Sequence, residues 1–175
     1  DQALSRLTRA GDLRRLARCL YDFPKIHPKL GALSPSPDDV AKALARETGS
    51  NLQIDGPQAA NALGLSTQVA AQSRWLTDGP SRRVVLGKRV IDLRHTSPKH
   101  LIAPGSPAGT VVQALRHVGA ARASDVMHAA SRHLSASDKK LLARNATQAP
   151  AWMRATLLSI ADPKPSGSGV GAALG

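Results

Sequence analysis

Apolar Ala3, Leu4, Leu7 and Ala10 recur against polar Gln2, Ser5, Arg6 and Arg9 with helical spacing, which predicts a short amphipathic helix closed by Gly11. From Asp12 that period is lost. The stretch DLRRLARCLYDFP leaves no room for a second helix before Pro24 and has a β-rich tail, so it reads as two short strands around a tight turn at Ala17, Arg18 and Cys19. Pro24, Pro28, Pro35 and Pro37 then crowd a segment that reads as a connector, residues 25–36. Helical periodicity returns at Ser36, a cap residue followed by Pro37 in the first turn and by Asp38 and Asp39, whose charge complements a helix N-terminus; this helix should run to Gly49.

Beyond it, NLQID reads as a short strand, Asp55, Gly56 and Pro57 as a turn, and PQAANALGL as a small helix. The period changes again at Gln72. QSRWLTD is a predicted strand, DGP a turn, and residues 82–96 a hairpin whose tight connection is Gly87 and Lys88. Four helical patterns follow, GTVVQALRHVG, SDVMHAASRHL, SDKKLLARNA and APAWMRATLLSIA, with Ser124 and Ser137 as expected caps of the middle two. The closing PKPSGSGVGAALG is of low complexity and is expected to be disordered.

The expected class is therefore α+β: a helix and hairpin in residues 1–24, the connector, a mixed domain over 37–162 with a small sheet and a C-terminal helical cluster, and a tail over 163–175. Composition adjusts this picture in three ways. A 42% hydrophobic content supports a real core, whereas 2% aromatic residues leave little stacking surface for unpaired bases. The formal charge of +12, with 24 basic residues and Glu47 as the sole glutamate, points to an anionic partner such as nucleic acid. Cys19 is the only cysteine, so no internal disulfide can form; with no apolar run near the ~20 residues of a membrane span and no leader pattern, the expected location is cytoplasmic and no membrane partner is expected. The chain opens on Asp1 rather than Met, which reads as a piece of a longer product.

Catalytic constellations are sparse. Asp38 and Asp39 are adjacent carboxylates, but helix capping accounts for them; Asp55 and Asp78 each precede Gly-Pro and read as turn formers. None of the histidine pairs 95/100 and 128/133 has the three- or four-residue spacing that puts two rings on one helix face, so no metal site is expected and His27, His95, His100, His117, His128 and His133 read as surface or packing residues. GSPAG at 105–109 offers a loop-to-helix junction where a phosphate could sit, and Cys19 has arginine neighbours that could lower its pKa. Neither makes an enzyme, and no catalytic residue or cofactor is expected.

What remains is positive charge in two clusters, one in residues 1–29 and one in residues 82–100, each at a predicted hairpin. A helix with one apolar face, stopped by glycine and followed at once by a basic hairpin, matches the back half of a winged helix-turn-helix, its first two helices missing from this chain. On that reading Gln2, Ser5, Arg6 and Arg9 face the major groove, while Arg14, Arg15 and Arg18 reach phosphates or the minor groove. The second cluster, Arg82, Arg83, Lys88, Arg89 and Arg94, would contact a partner; the alternative is an RNA-binding module that uses the basic hairpin 82–100 on structured RNA.

ALSRLTRAGDLRRLARCLYDFPKIHPKLGALSP, with LTDGPSRRVVLGKRVIDLRHTSPKHL further on, resembles the AbiEi-type antitoxins of type IV toxin–antitoxin (abortive infection) systems, over nearly all of residues 2–160. The more specific part is Leu76 to Arg82 together with Arg94-His95-Thr96-Ser97-Pro98. The resemblance implies a transcriptional autorepressor that binds the promoter of its own operon through the helix and wing. It also implies that the domain that follows counteracts a nucleotidyltransferase-like toxin without a stable complex between them; Arg82, Arg83, Lys88, Arg89 and Arg94 are, on their charge, the candidate antitoxin surface, a role the RNA-binding alternative lacks. Ser5, Arg6 and Arg9 match the exposed side of the family's recognition helix, and Arg14, Arg15 and Arg18 its wing. Cys19 stands at the wing turn where glycine is expected.

Overall fold

The computed structural model of the chain describes residues 2–17, 20–29, 31–68 and 72–163. Helix α1 (Gln2–Ala10) ends where Gly11 takes a positive φ of 85°, which lets the Asp12 N–H turn back to the Leu7 carbonyl at 3.0 Å. Strands β1 (Arg14–Ala17) and β2 (Leu20–Asp22) form the expected antiparallel hairpin, with an irregularity between Arg15 and Ala17. Its tip, including Arg18 and Cys19, lies outside the described residues, as does the tail from 164 onward. The predicted connector holds a small ladder of its own, β3 (Ile26–His27) against β4 (Gly31–Ala32).

Helix α2 (Pro37–Glu47) starts as its sequence dictates: the Ser36 hydroxyl accepts from the Asp39 N–H at 3.1 Å, and Asp38 pairs with Lys42 one turn on. Then come β5 (Leu52–Ile54), α3 (Gly56–Ala62), β6 (Ser73–Thr77), β7 (Arg82–Leu86) and β8 (Arg89–His95). The four strands form one sheet in the order β5-β6-β8-β7. Gly87, at φ 58°, and Lys88 make the two-residue turn between β7 and β8. Strand β6 runs parallel to β8, so the carboxyl ends of these two strands, Thr77 and His95, lie side by side.

Register divides the sheet into two faces. Val84, Ile91, Leu93 and Trp75 point toward α2, where they bury Val40, Ala41 and Leu44; Leu20 of β2 joins the same cluster, and Leu16 of β1 packs against it. The N-terminal hairpin thus shares a core with the sheet. Burying a side chain such as Leu20 contributes about 1.5–3 kcal/mol, which anchors the hairpin although α1 itself has no buried residue.

The second core is helical. Helix α4 (Pro107–Val118) runs through its centre with Val111, Val112, Ala114 and Leu115 fully buried against α3, α5 (Ala123–His133), α6 (Ala136–Asn145) and α7 (Ala151–Ala161). The architecture is mixed α+β with a C-terminal helical cluster. Two predicted caps are corrected. Helix α5 grows out of a 3-10 turn at Ala120–Arg122, so the chain is already turning and Ser124 sits inside the first turn rather than at the cap. Helix α6 is capped by Ser135, whose hydroxyl accepts from the Asp138 N–H while the Asp138 carboxylate accepts from the Ser135 N–H; Ser137 lies within that turn.

Candidate nucleic-acid interface

Helix α1 presents Gln2, Ser5, Arg6 and Arg9 to solvent. Its opposite side is only partly covered, since Leu4 is half-buried and Leu7 is 39% exposed. The helix is braced internally where the Thr8 hydroxyl donates to the Leu4 carbonyl at 2.7 Å. In the hairpin, the Arg14 guanidinium donates to Asp22 at 2.6 Å and to the Leu33 carbonyl at 2.7 Å, which ties both strands to the connector. Arg14 therefore holds the hairpin, and Arg15 is an exposed residue of β1.

The second basic cluster divides by strand parity. Arg82 lies toward the α2 side and reaches Glu47 at 2.5 Å, a bridge from the sheet to the end of α2. On the other face the register places Arg74, Asp92 and Arg83 in one row across β6, β8 and β7, with Arg94 two residues along β8. Asp92 accepts from Arg74 at 3.3 Å and from Arg94 at 3.1 Å. Burial pushes its carboxyl pKa up, but the two guanidiniums outweigh that and hold it below the ordinary value. Val85, 59% exposed, sits on this face beside Arg83. Lys88 and Arg89 are exposed at the hairpin tip. A sheet face mixing arginines with an uncovered valine suits an anionic or protein partner more than bulk water.

The segments 76–82 and 94–98 meet at the carboxyl ends of β6 and β8, and their chemistry is structural. Asp78 accepts from both the backbone N–H and the side-chain amide of Asn51, each at 2.7 Å, so it pins the start of β5. Those hydrogen bonds hold its carboxyl below the ordinary value, with a smaller contribution from His95. His95 makes a 2.9 Å contact from Nδ1 to the Gly79 carbonyl, and its N–H donates to the Ser81 hydroxyl. Sequence reasoning saw a turn at Asp78; the parallel pairing of β6 with β8 is what makes it a corner.

The carboxylates of the sheet region are spread out. Asp55 caps α3 by accepting from the Gln58 N–H, Asp78 clamps Asn51, and Asp92 is held between arginines. Among the described residues no group of three or more His, Cys, Asp or Glu is arranged to hold a metal ion, and no helix is long and apolar enough to cross a membrane. At 105–109, where a phosphate could have sat, the Gly105 N–H is taken by Gln53 Oε1 and the Gly109 N–H by the Ser106 hydroxyl. Gln53, 3% exposed, is the residue that sequence patterning missed: it lies on the Arg74 face of the sheet, where α4 covers it, and bonds α4 to β5.

The model of a family of unknown function, DUF6088, matches residues 1–142. Comparison with curated proteins and with solved structures finds no match.

Proposed function

We propose that this chain, which belongs to the DUF6088 family, is a cytoplasmic, duplex-DNA-binding autorepressor of its own operon that also counteracts a nucleotidyltransferase-like toxin. The observation that carries the reading is the placement of α1: a helix with no buried residue and with Gln2, Ser5, Arg6 and Arg9 exposed, joined through Gly11 to a hairpin rooted in the core. Such a helix has the length and side chains to enter a major groove, where Arg and Gln pair with base edges. The net charge of +12 supplies the sequence-independent attraction to phosphates. Activity against the toxin is assigned to the sheet domain, on the similarity to AbiEi-type antitoxins and the uncovered face with Arg83, Val85 and Arg94.

The test is a mobility shift of the chain on the promoter of its own operon across a range of salt. Binding should weaken steeply as salt rises, and Arg6→Ala with Arg9→Ala should cut the preference for promoter over unrelated duplex by roughly 10-fold or more per arginine. Salt-insensitive binding would count against the electrostatic mechanism. If a structured RNA outcompetes the promoter duplex, the chain is an RNA-binding module instead.

A further inference from the structure

Between the sheet and the helical cluster lies a cavity of about 530 Å³, within the range of small-molecule sites. Its position follows from the pairing of β5. Asp55 donates its N–H to the Arg74 carbonyl, so in the antiparallel alternation Gln53 also bonds to β6 while the N–H and C=O groups of Leu52 and Ile54 point away from it. Strand β5 is the edge of the sheet, and three consecutive residues from it, Leu52, Gln53 and Ile54, line the cavity. Consecutive strand residues face opposite sides of a sheet, so one cavity touching all three runs along the edge itself. Helix α2 walls it on one side and the start of α4 on the other.

Two kinds of surface converge there. Ile54, Leu63 and Leu134 give it an apolar lining drawn from both cores. Trp75 also lines it, is 3% exposed, and has an indole N–H that is buried and meets no acceptor among the described residues. A buried donor without an acceptor is rare in folded proteins. The rim adds Asp38 and Lys42, paired with each other so that the Lys42 ammonium is pushed above its ordinary pKa, together with His133 and the N-terminal turn of α4 at Ser106 and Pro107, whose dipole favours negative charge.

We propose that this cavity is a binding site for a small amphipathic acid, with an apolar body between Leu63, Leu134 and Trp75 and a carboxylate at the rim, between the Lys42 ammonium and the N-terminal turn of α4. The site is separate from α1 and from the Arg83 face, so it stands or falls independently of DNA binding.

The probes are 4-phenylbutyrate and octanoate, with their neutral primary amides as controls. The full chain carrying Trp152→Phe leaves Trp75 as its only tryptophan and reports directly on the cavity. At least one acid should shift Trp75 emission saturably and bind at least tenfold tighter than its amide. Ala62→Phe, at an exposed position on the cavity wall, should abolish binding, and Lys42→Met should weaken it with thermal unfolding unchanged. No saturable change with either acid at millimolar concentration, equal affinity for the amides, or binding that survives Ala62→Phe would each overturn the proposal.

Discussion

Two aspartates show how single side chains set the behaviour of this chain in acid. Asp78 and Asp92 are both held below the ordinary carboxyl value of 3.8 in the folded state, Asp78 mainly by Asn51 and Asp92 by Arg94 and Arg74 against the opposing effect of burial. A carboxyl whose folded pKa is depressed stabilises fully above its unfolded value, and that stabilisation is lost as pH falls through the lower folded value. Stability should therefore be flat in this respect above about pH 5 and decline below about pH 4. Asp78→Asn should cost about 1–3 kcal/mol at pH 7, because it weakens two charge-assisted bonds to Asn51, and should flatten the acid limb of the profile. Urea unfolding between pH 3 and pH 7 measures both effects; an unchanged acid limb in the variant would show that Asp78 does not carry it.

At the level of elements, the docking of α4 on β5 rests on Gly109. A methyl group there would meet the Ala103 carbonyl, Gln53 Oε1 and the Ile102 carbonyl, two of them backbone atoms that cannot swing aside. Gly109→Ala should therefore destabilise by about 1–3 kcal/mol despite the better helix propensity of alanine. A gain in thermal stability would refute this close approach. The caps give a sharper contrast: Ser135→Ala should cost about 1 kcal/mol and Ser137→Ala close to nothing, measured by chemical denaturation. The signal for Ser135 was present in the sequence as the Ser-x-x-Asp spacing to Asp138, but a second serine two residues on competed with it. Strands β7 and β8 were legible because two β-branched runs, Val84-Val85 and Val90-Ile91, flank a Gly-Lys turn. The parallel neighbour relation of β6 and β8, the burial of Gln53 and the cavity along β5 were not, since each depends on contacts between segments distant in sequence, which local periodicity does not encode.

For the whole molecule, the decisive relation is that the β1–β2 hairpin and the Arg83 row belong to opposite faces of one sheet. The β1–β2 hairpin, to which α1 is joined through Gly11, packs into the core on the face that carries Val84, Ile91 and Leu93, whereas Arg83, Asp92 and Arg74 align on the other. A duplex bound at α1 would leave the Arg83 face open, so promoter binding and opposition to the toxin should separate genetically. Arg82 is a poor probe of that face because its bridge to Glu47 makes reversal a structural lesion; Arg83 and the hairpin-tip Lys88 are exposed and suit the purpose. Arg83→Glu with Lys88→Glu should lose rescue from the toxin in co-expression while still shifting the promoter, since surface substitutions of this kind change folding stability by about 0.5 kcal/mol or less. Arg6→Ala with Arg9→Ala should do the reverse. Loss of both abilities in either variant, with folding intact by circular dichroism, would mean that one surface serves both and that the division of labour across the sheet is wrong.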